Sequence, residues 1–220
     1  MGTLEYIAKR YQVSFDQPLP ILMNMDRFKE LPKLFRKLGF KVGAEIGVST
    51  GRYSKCLSRA IPGLKLYCVD PWLAYDEYVE THGESGQATL NGCYEQAKAR
   101  LAPYNCEFIK ATSMEASKQI PDGSLDFVFI DGNHSFEFVI NDIVTWSKKV
   151  RVGGIVSGHD YWNSGGMNPR HLYIKNLSPV DKMRLCQVKD AIDAWTKSNE
   201  IKPWFVTKLD DCSSWFWVRS

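Results

Sequence analysis

Short apolar runs alternate with amphipathic stretches over most of the chain. The apolar runs are bounded by glycine, proline or polar residues, and they predict five strands, at 41–46, 64–69, 106–109, 125–130 and 154–157. Between these runs, apolar residues recur every three or four positions. This spacing predicts helices after Gly51 to about Ala60, at 87–101, at 114–119, at 135–150 and from Ser178 to about Ser198.

The alternation of strands and helices determines the predicted architecture. It indicates a parallel sheet that is covered by helices on both faces. Near the end of the chain, Trp204–Val206 and Trp215–Val218 flank a polar turn and predict a hairpin. The predicted fold is therefore α/β: a doubly wound, mostly parallel sheet of seven strands with a C-terminal antiparallel hairpin.

The first 40 residues do not share this rhythm. Apolar side chains recur at helical spacing from Asp26 to Leu38, and Gly39 is a suitable helix stop. The first 25 residues are mixed in character. We expect residues 1–40 to form an arm and a helix that pack on the domain formed by residues 41–220.

Composition and charge narrow the function classes. The 220 residues include 28 Lys and Arg against 25 Asp and Glu, a formal net charge of +3, which is too small to indicate a nucleic-acid or membrane surface. No run approaches the roughly 20 apolar residues of a membrane span, and the start lacks the apolar stretch of a signal peptide. Six cysteines with no CxxC pair indicate free thiols in a reducing compartment, so we expect a cytoplasmic location.

Polar residues follow the predicted strands, at the sheet edge where ligands bind in parallel α/β folds. After the first strand, Gly47 and Gly51 let the backbone turn sharply, and the helix beyond them offers free N–H groups to a carboxylate or phosphate. Glu45 and Ser49 belong to the same segment. This acid-x-Gly-x-x-x-Gly pattern suits a ligand with an amino-acid end, and a tight turn without a ligand explains it equally well.

The next two strand ends carry groups that suit a nucleoside. Asp70 follows the second strand, where an acid accepts hydrogen bonds from ribose hydroxyls, and Trp72 is placed to flank a flat ring. Ser113 and Met114 follow the third strand and suit an adenine pocket. Thr112 or Ser113 equally suits the cap of the next helix.

The fourth and fifth strand ends suggest metal and proton chemistry. Asp131 and Asp160 follow adjacent strands, and neighbouring carboxylates favour a hard cation such as Mg²⁺. His134 lies three residues after Asp131, and an imidazole that titrates near neutrality is a usable general base. Each of these residues taken alone also fits a surface or helix-cap role.

These residues together resemble class I S-adenosylmethionine-dependent methyltransferases. The stretch VGAEIGVSTG is similar to their first motif, and LYCVDPW to their second. The blocks FVFIDGNHSFEFVINDI and VRVGGIVSGHDYW resemble the small-molecule and sugar O-methyltransferase branch, typified by macrocin and catechol O-methyltransferases. The resemblance covers roughly residues 41–218 and implies a Rossmann-like methyltransferase fold.

The resemblance implies a cofactor site along the strand ends. The methionine end of S-adenosylmethionine would lie at residues 47–51, which we call the glycine turn. The ribose would lie at Asp70 and the adenine beside Ser113. The full cofactor-binding set is then Glu45, Gly47, Ser49, Gly51, Asp70, Trp72, Ser113, Met114 and Asp131.

The resemblance also implies catalytic roles. Asp131 and Asp160 match the acids that bind Mg²⁺ or another divalent metal, and His134 matches the catalytic base of the sugar-modifying enzymes. Related enzymes place a second acid or an amide directly after the latter aspartate, where this chain has Tyr161. A metal's shell would then be completed by water, His159 or Asn163. We expect Asp142, in the same block, to support His134 or a backbone turn.

The expected function is methyl transfer from S-adenosylmethionine to a hydroxyl of a sugar or another small molecule, such as a natural product. We expect neither a nucleic-acid nor a membrane partner, and the oligomeric state stays open, a homo-oligomer included. The segments Tyr75–Gly92 and Trp162–Leu177 are expected to form a lid and the acceptor pocket. Two alternatives stay open: a metal-independent O- or N-methyltransferase, and a non-catalytic nucleoside-binding module.

Overall fold

One eight-stranded sheet organises the molecule. The computed structural model describes residues 1–75, 86–162, 186–210 and 212–220. The strands are β1 (Ile21–Met23), β2 (Val42–Ile46), β3 (Lys65–Val69), β4 (Cys106–Ile109), β5 (Leu125–Ile130), β6 (Val150–Gly158), β7 (Trp204–Thr207) and β8 (Trp215–Val218). The helices are α1 (Thr3–Tyr11), α2 (Glu30–Lys37), α3 (Arg52–Ala60), α4 (Gly86–Leu101), α5 (Ser113–Ser117), α6 (Phe136–Lys149) and α7 (Val188–Ser198).

The strand order is β1-β7-β8-β6-β5-β2-β3-β4. From β6 to β4 every neighbouring pair is parallel, whereas β8 runs antiparallel to both β6 and β7. This confirms the predicted α/β fold with a mostly parallel sheet and a C-terminal antiparallel hairpin. The parallel register aligns the carboxyl ends of β2, β3, β5 and β6 along one edge of the sheet.

The sheet is buried on both faces. Successive side chains of β5 point to opposite sides of the sheet, and both sets are buried. Phe127 and Phe129 belong to the core on the face that α1, α2 and α3 cover. Val128 and Ile130 belong to the core on the other face, with α5, α6 and α7. Helices on both faces explain why β5 reads as a continuous apolar run rather than an alternating one. None of the helices in the described ranges is both long and apolar enough to cross a membrane.

The N-terminal segment contributes more to the sheet than the sequence pattern indicated. Residues Ile21–Met23, in the expected arm, form an eighth strand that pairs in parallel with β7. A strand of three residues is too short to show a readable alternation. Helix α2 begins at Glu30 rather than at Asp26, because the Asp26 carboxylate accepts a hydrogen bond from the Lys29 amide at 2.6 Å and forms a turn there.

Other element bounds differ at their ends. The fifth predicted strand extends back to Val150, and the last predicted helix is described from Val188. The predicted start of that helix, Ser178, lies outside the described residues. Most of the two segments assigned to a lid and the acceptor pocket also lies outside them, namely residues 76–85 of the first and 163–177 of the second. Of the first of these segments, residues 86–92 belong to α4.

Candidate active site at the carboxyl edge of the sheet

Two histidines and two aspartates meet where β5 and β6 end. Asp131 directly follows β5, and His159 and Asp160 directly follow β6, its parallel neighbour. The His134 Nε2 atom lies 3.5 Å from Asp131 Oδ1 and 3.3 Å from Asp160 Oδ2. The His159 Nδ1 atom lies 3.1 Å from Asp160 Oδ2 and 3.6 Å from Asp131 Oδ1. We call these four residues the His–Asp cluster.

The His–Asp cluster is charged and mostly buried. Burial alone would raise the pKa of Asp131, but His159 and then His134 outweigh it and hold that pKa below its usual value. The pKa of Asp160 is lowered for the same reason, with burial opposing and His134 the main favourable neighbour. Burial opposes protonation of His159, yet Asp131 and then Asp160 raise its pKa to about 9. Both aspartates are therefore carboxylates at neutral pH.

Part of the His–Asp cluster has the composition of a metal site. Ligand atoms of Asp131, His134 and Asp160 lie within 4.8 Å of one another. Two carboxylates and an imidazole fit a divalent cation that accepts both oxygen and nitrogen ligands. The Asp160 backbone has a left-handed φ of 56°, which is uncommon for a residue other than glycine and occurs often at functional sites.

Arg27 joins this cluster from the N-terminal segment. Its Nη1 atom lies 3.5 Å from Asp131 Oδ2, and its backbone N–H donates to Asp210 at 2.9 Å. Sequence reasoning missed Arg27, because it comes from outside the strand–helix repeat and no local pattern marks it. Asp131 therefore faces an arginine and two imidazoles at the same time.

The turn after β2 is held by specific backbone contacts. Gly47 has a φ of 88°, and a Cβ atom there would lie 1.9 Å from the Asp131 carbonyl oxygen. Only glycine lets the turn pass so close to the end of β5. Gly51 also has a left-handed φ, of 72°, and directly precedes α3. Both glycines are thus explained by the turn itself, which brings α3 to the edge beside Asp131.

Asp70 ties this turn to the end of β3. Its carboxylate accepts hydrogen bonds from the Ser49 amide at 2.8 Å and from the Trp72 amide at 2.7 Å. Trp72 is 1% exposed and packs against Tyr94, and its indole N–H donates to the Ser49 carbonyl at 2.8 Å. The structure thus places Trp72 in the core beneath the turn, where it supports Ser49.

Glu45 lies inside the fold behind the turn. It is 2% exposed, and its carboxyl group accepts a hydrogen bond from the Ser54 hydroxyl of α3. Burial raises its pKa well above the usual value, although the bond from Ser54 opposes this. A nearby cation would reverse that shift by favouring the charged form.

Ser113 connects α5 to α6. Thr112 caps α5, so the Ser113 hydroxyl is free to donate to the Asp142 carboxylate and to accept from the Trp146 indole N–H at 2.7 Å. The Asp142 carboxyl group is thus held by Ser113; the sequence expectation was that it supports His134 or a backbone turn. The Met114 sulfur accepts from the Thr145 hydroxyl at 3.5 Å.

Tyr161 turns away from the His–Asp cluster. Its hydroxyl donates to Asp193 of α7 at 2.6 Å, and burial together with Asp193 raises its pKa. Because the Tyr161 hydroxyl is bound to α7, Tyr161 does not take the place of the second acid or amide that related enzymes have at this position. Of the two other side chains named for that purpose, His159 lies in the cluster, and Asn163 lies outside the described residues.

Residues 44–161, more than half of the chain, match the family described as a methyltransferase domain. This chain belongs to that family. The matched range contains the glycine turn, Asp70 and the whole His–Asp cluster. Arg27, which contacts the His–Asp cluster from the N-terminal segment, and Asp193, which holds Tyr161, lie outside it.

Solved structures share the fold of this methyltransferase at low sequence identity. An O-methyltransferase from Bacillus cereus in complex with SAH is 15% identical, with a TM-score of 0.58 over 99% of this chain and 89% of that chain. The O-methyltransferase TomG from Streptomyces achromogenes, involved in tomaymycin synthesis and solved in complex with SAM, is 17% identical, with a TM-score of 0.55 over 99% and 90% of the two chains.

Proposed function

We propose that this methyltransferase uses S-adenosylmethionine to methylate a hydroxyl group of a sugar or another small molecule. The observation that carries the proposal is the placement of the His134 imidazole between two carboxylates, on the same sheet edge as the glycine turn. A base beside a cofactor turn is the arrangement that hydroxyl methylation needs. The matching family and the O-methyltransferase names of the structural relatives support this assignment.

The residues of the turn fit the cofactor. When bound, S-adenosylmethionine supplies a methyl group on a sulfonium sulfur, already activated for transfer. Asp70 would accept hydrogen bonds from the ribose, because each carboxylate oxygen keeps acceptor capacity beyond its bond to Ser49 or Trp72. The ammonium group would lie toward Glu45 and favour its charged form, and the adenine would lie toward Ser113 and Met114.

His134 would remove the proton from the acceptor hydroxyl. Its side chain is 14% exposed and its Nε2 atom is buried beside the two carboxylates, so the base is largely shielded from water. The carboxylates of Asp131 and Asp160 stabilise the imidazolium that forms when His134 takes the proton. The fixed position of these groups around one point supplies the alignment on which methyl transfer depends.

Asp131 and Asp160 would hold a divalent cation, which would act as a Lewis acid and make a nearby hydroxyl easier to deprotonate. His134 cannot serve as both a metal ligand and the base, because its Nε2 atom cannot ligate a metal and accept a proton at the same time. We assign the metal to the two aspartates and the proton to His134.

One observation favours the metal-independent alternative. Arg27 and His159 already lie 3.5 Å and 3.6 Å from the Asp131 carboxylate, so its charge is compensated by groups of the chain itself. In that case Arg27 and His159 would orient Asp131, and His134 would act without a metal.

A labelled-methyl assay tests the function and separates these alternatives. The protein is incubated with methyl-labelled S-adenosylmethionine and a panel of sugars and catechols, first with magnesium or manganese and then with a chelator. We expect label in a hydroxyl acceptor, and loss of turnover in the chelator that added metal restores. Full turnover in the chelator would support the metal-independent form, and cofactor binding with no transfer to any acceptor would favour the non-catalytic module.

A further inference from the structure

A basic cleft lies between α2 and α3, beside the candidate active site. It is largely open to solvent and has a volume of about 480 Å³, within the range of small-molecule sites. Its cationic lining residues are Lys29, Lys33, Arg36, Arg52, Lys55 and Arg59. Phe28, Cys56 and Ala60 complete the lining, so no acidic side chain is among the described residues that line the basic cleft.

The six cations are a local concentration of charge. The formal net charge of the whole chain is only +3, so the basic cleft does not simply reflect a basic protein. Lys33 pairs with Glu30 at 2.8 Å, and this is the one ion pair that the described residues make with a lining cation. Five lining cations are exposed, and Lys55 is half-buried.

The cations that line the basic cleft lower the stability of the unliganded fold. Arg52, Lys55 and Arg59 follow one another at helical spacing on one face of α3, where like charges repel. Arg52 is also the first residue of α3, and no acidic residue occurs in that first turn to offset the helix dipole. A bound anion would remove both unfavourable terms.

We propose that the basic cleft binds a small molecule that carries two or more phosphate groups. Arginine and lysine on two facing helices supply charge-assisted hydrogen bonds to several phosphate oxygens at once. Phe28, which is 47% exposed, offers an apolar surface for the organic part of the ligand. The helices have only eight and nine residues, about 12–14 Å, which suits a diphosphate better than a nucleic-acid duplex.

The basic cleft adjoins the methyltransferase site without sharing its residues. Arg27 contacts Asp131 with its guanidinium, which also lies 4.7 Å from the ring of Phe28, the first residue of the basic cleft. Arg52 directly follows Gly51 of the glycine turn. The two sites can therefore be tested separately, whether or not the proposed function holds.

Calorimetric titration tests the proposal. Inorganic pyrophosphate and uridine diphosphate are titrated at low ionic strength into the parent protein, with S-adenosylhomocysteine present to occupy the proposed nucleoside site. One triple variant replaces Arg52, Lys55 and Arg59 by Gln, and a matched variant with the same loss of charge replaces the exposed Lys118, Lys197 and Lys202 by Gln. We expect saturable binding by the parent, weakened about tenfold or more in the first variant and little changed in the second.

Three results would overturn the proposal: no saturable binding by the parent, an equal loss in the matched variant, or binding of a DNA duplex much tighter than that of uridine diphosphate. The single variant Lys55→Gln serves if the triple variant fails to fold, and it should weaken pyrophosphate binding while its melting temperature stays near that of the parent. Affinity for S-adenosylhomocysteine is measured on the same samples, so failure of the basic cleft is distinguished from failure of the methyltransferase assignment.

Discussion

At the scale of single residues, His134 has two competing roles, because its Nε2 atom lies within 3.5 Å of carboxylate oxygens from both Asp131 and Asp160. A general base contributes typically 10²–10⁴-fold to the rate and little to cofactor or metal affinity. A metal ligand would contribute to metal affinity. His159, the other imidazole of the His–Asp cluster, provides a matched comparison.

We expect His134→Ala to keep its fold and its affinity for S-adenosylhomocysteine while losing about 10²-fold or more in turnover. Manganese affinity should change little, because the two aspartates remain. His159→Ala should retain more turnover than His134→Ala. Turnover and manganese binding are measured on both variants. A large loss of manganese affinity in His134→Ala would indicate that His134 is a metal ligand. Near-parent turnover in His134→Ala would instead assign the base role to His159.

At the scale of elements, the bond between Ser113 and Asp142 joins α5 to α6 in a buried environment. Burial raises the pKa of Asp142 to about 7, against the opposing effect of the Ser113 hydrogen bond. Because the folded-state pKa exceeds the unfolded one of about 3.9, the folded state holds this proton more tightly. The associated stability is fully present below about pH 4 and is lost as the pH rises toward 7.

We therefore expect the stability of the parent to fall relative to that of Asp142→Asn between about pH 4 and 7, by up to about 1.4 kcal/mol per pH unit. Urea unfolding of both proteins across this range measures the difference. The exposed Asp122→Asn is a control: Lys149 lowers the pKa of Asp122, so the contribution of this carboxylate is lost only as the pH falls below about 4, and its stability profile should run nearly parallel to that of the parent above about pH 5. Parallel stability profiles for the parent and Asp142→Asn would contradict the assignment.

At the scale of the whole molecule, what could be predicted from sequence depended on local pattern. The apolar run 125–130 predicted a buried parallel strand, and the rule for parallel strand ends brought Asp131 and Asp160 together. Arg27 and β1 could not be predicted in this way, because their contacts join the N-terminal segment to distant parts of the sheet. The orientations of Trp72 and Asp142 depend on packing between elements, which periodicity does not encode.

We infer that the turn 47–51 and Asp70 bind S-adenosylmethionine and its demethylated product. This is tested by calorimetric titration of the parent, Asp70→Ala and Trp72→Phe with S-adenosylhomocysteine. The last variant removes the indole hydrogen bond to Ser49 and no ribose acceptor. We predict saturable binding by the parent but none of NAD, an affinity about tenfold or more weaker in Asp70→Ala, and a small change in Trp72→Phe. Equal affinity in the parent and Asp70→Ala would contradict the claim.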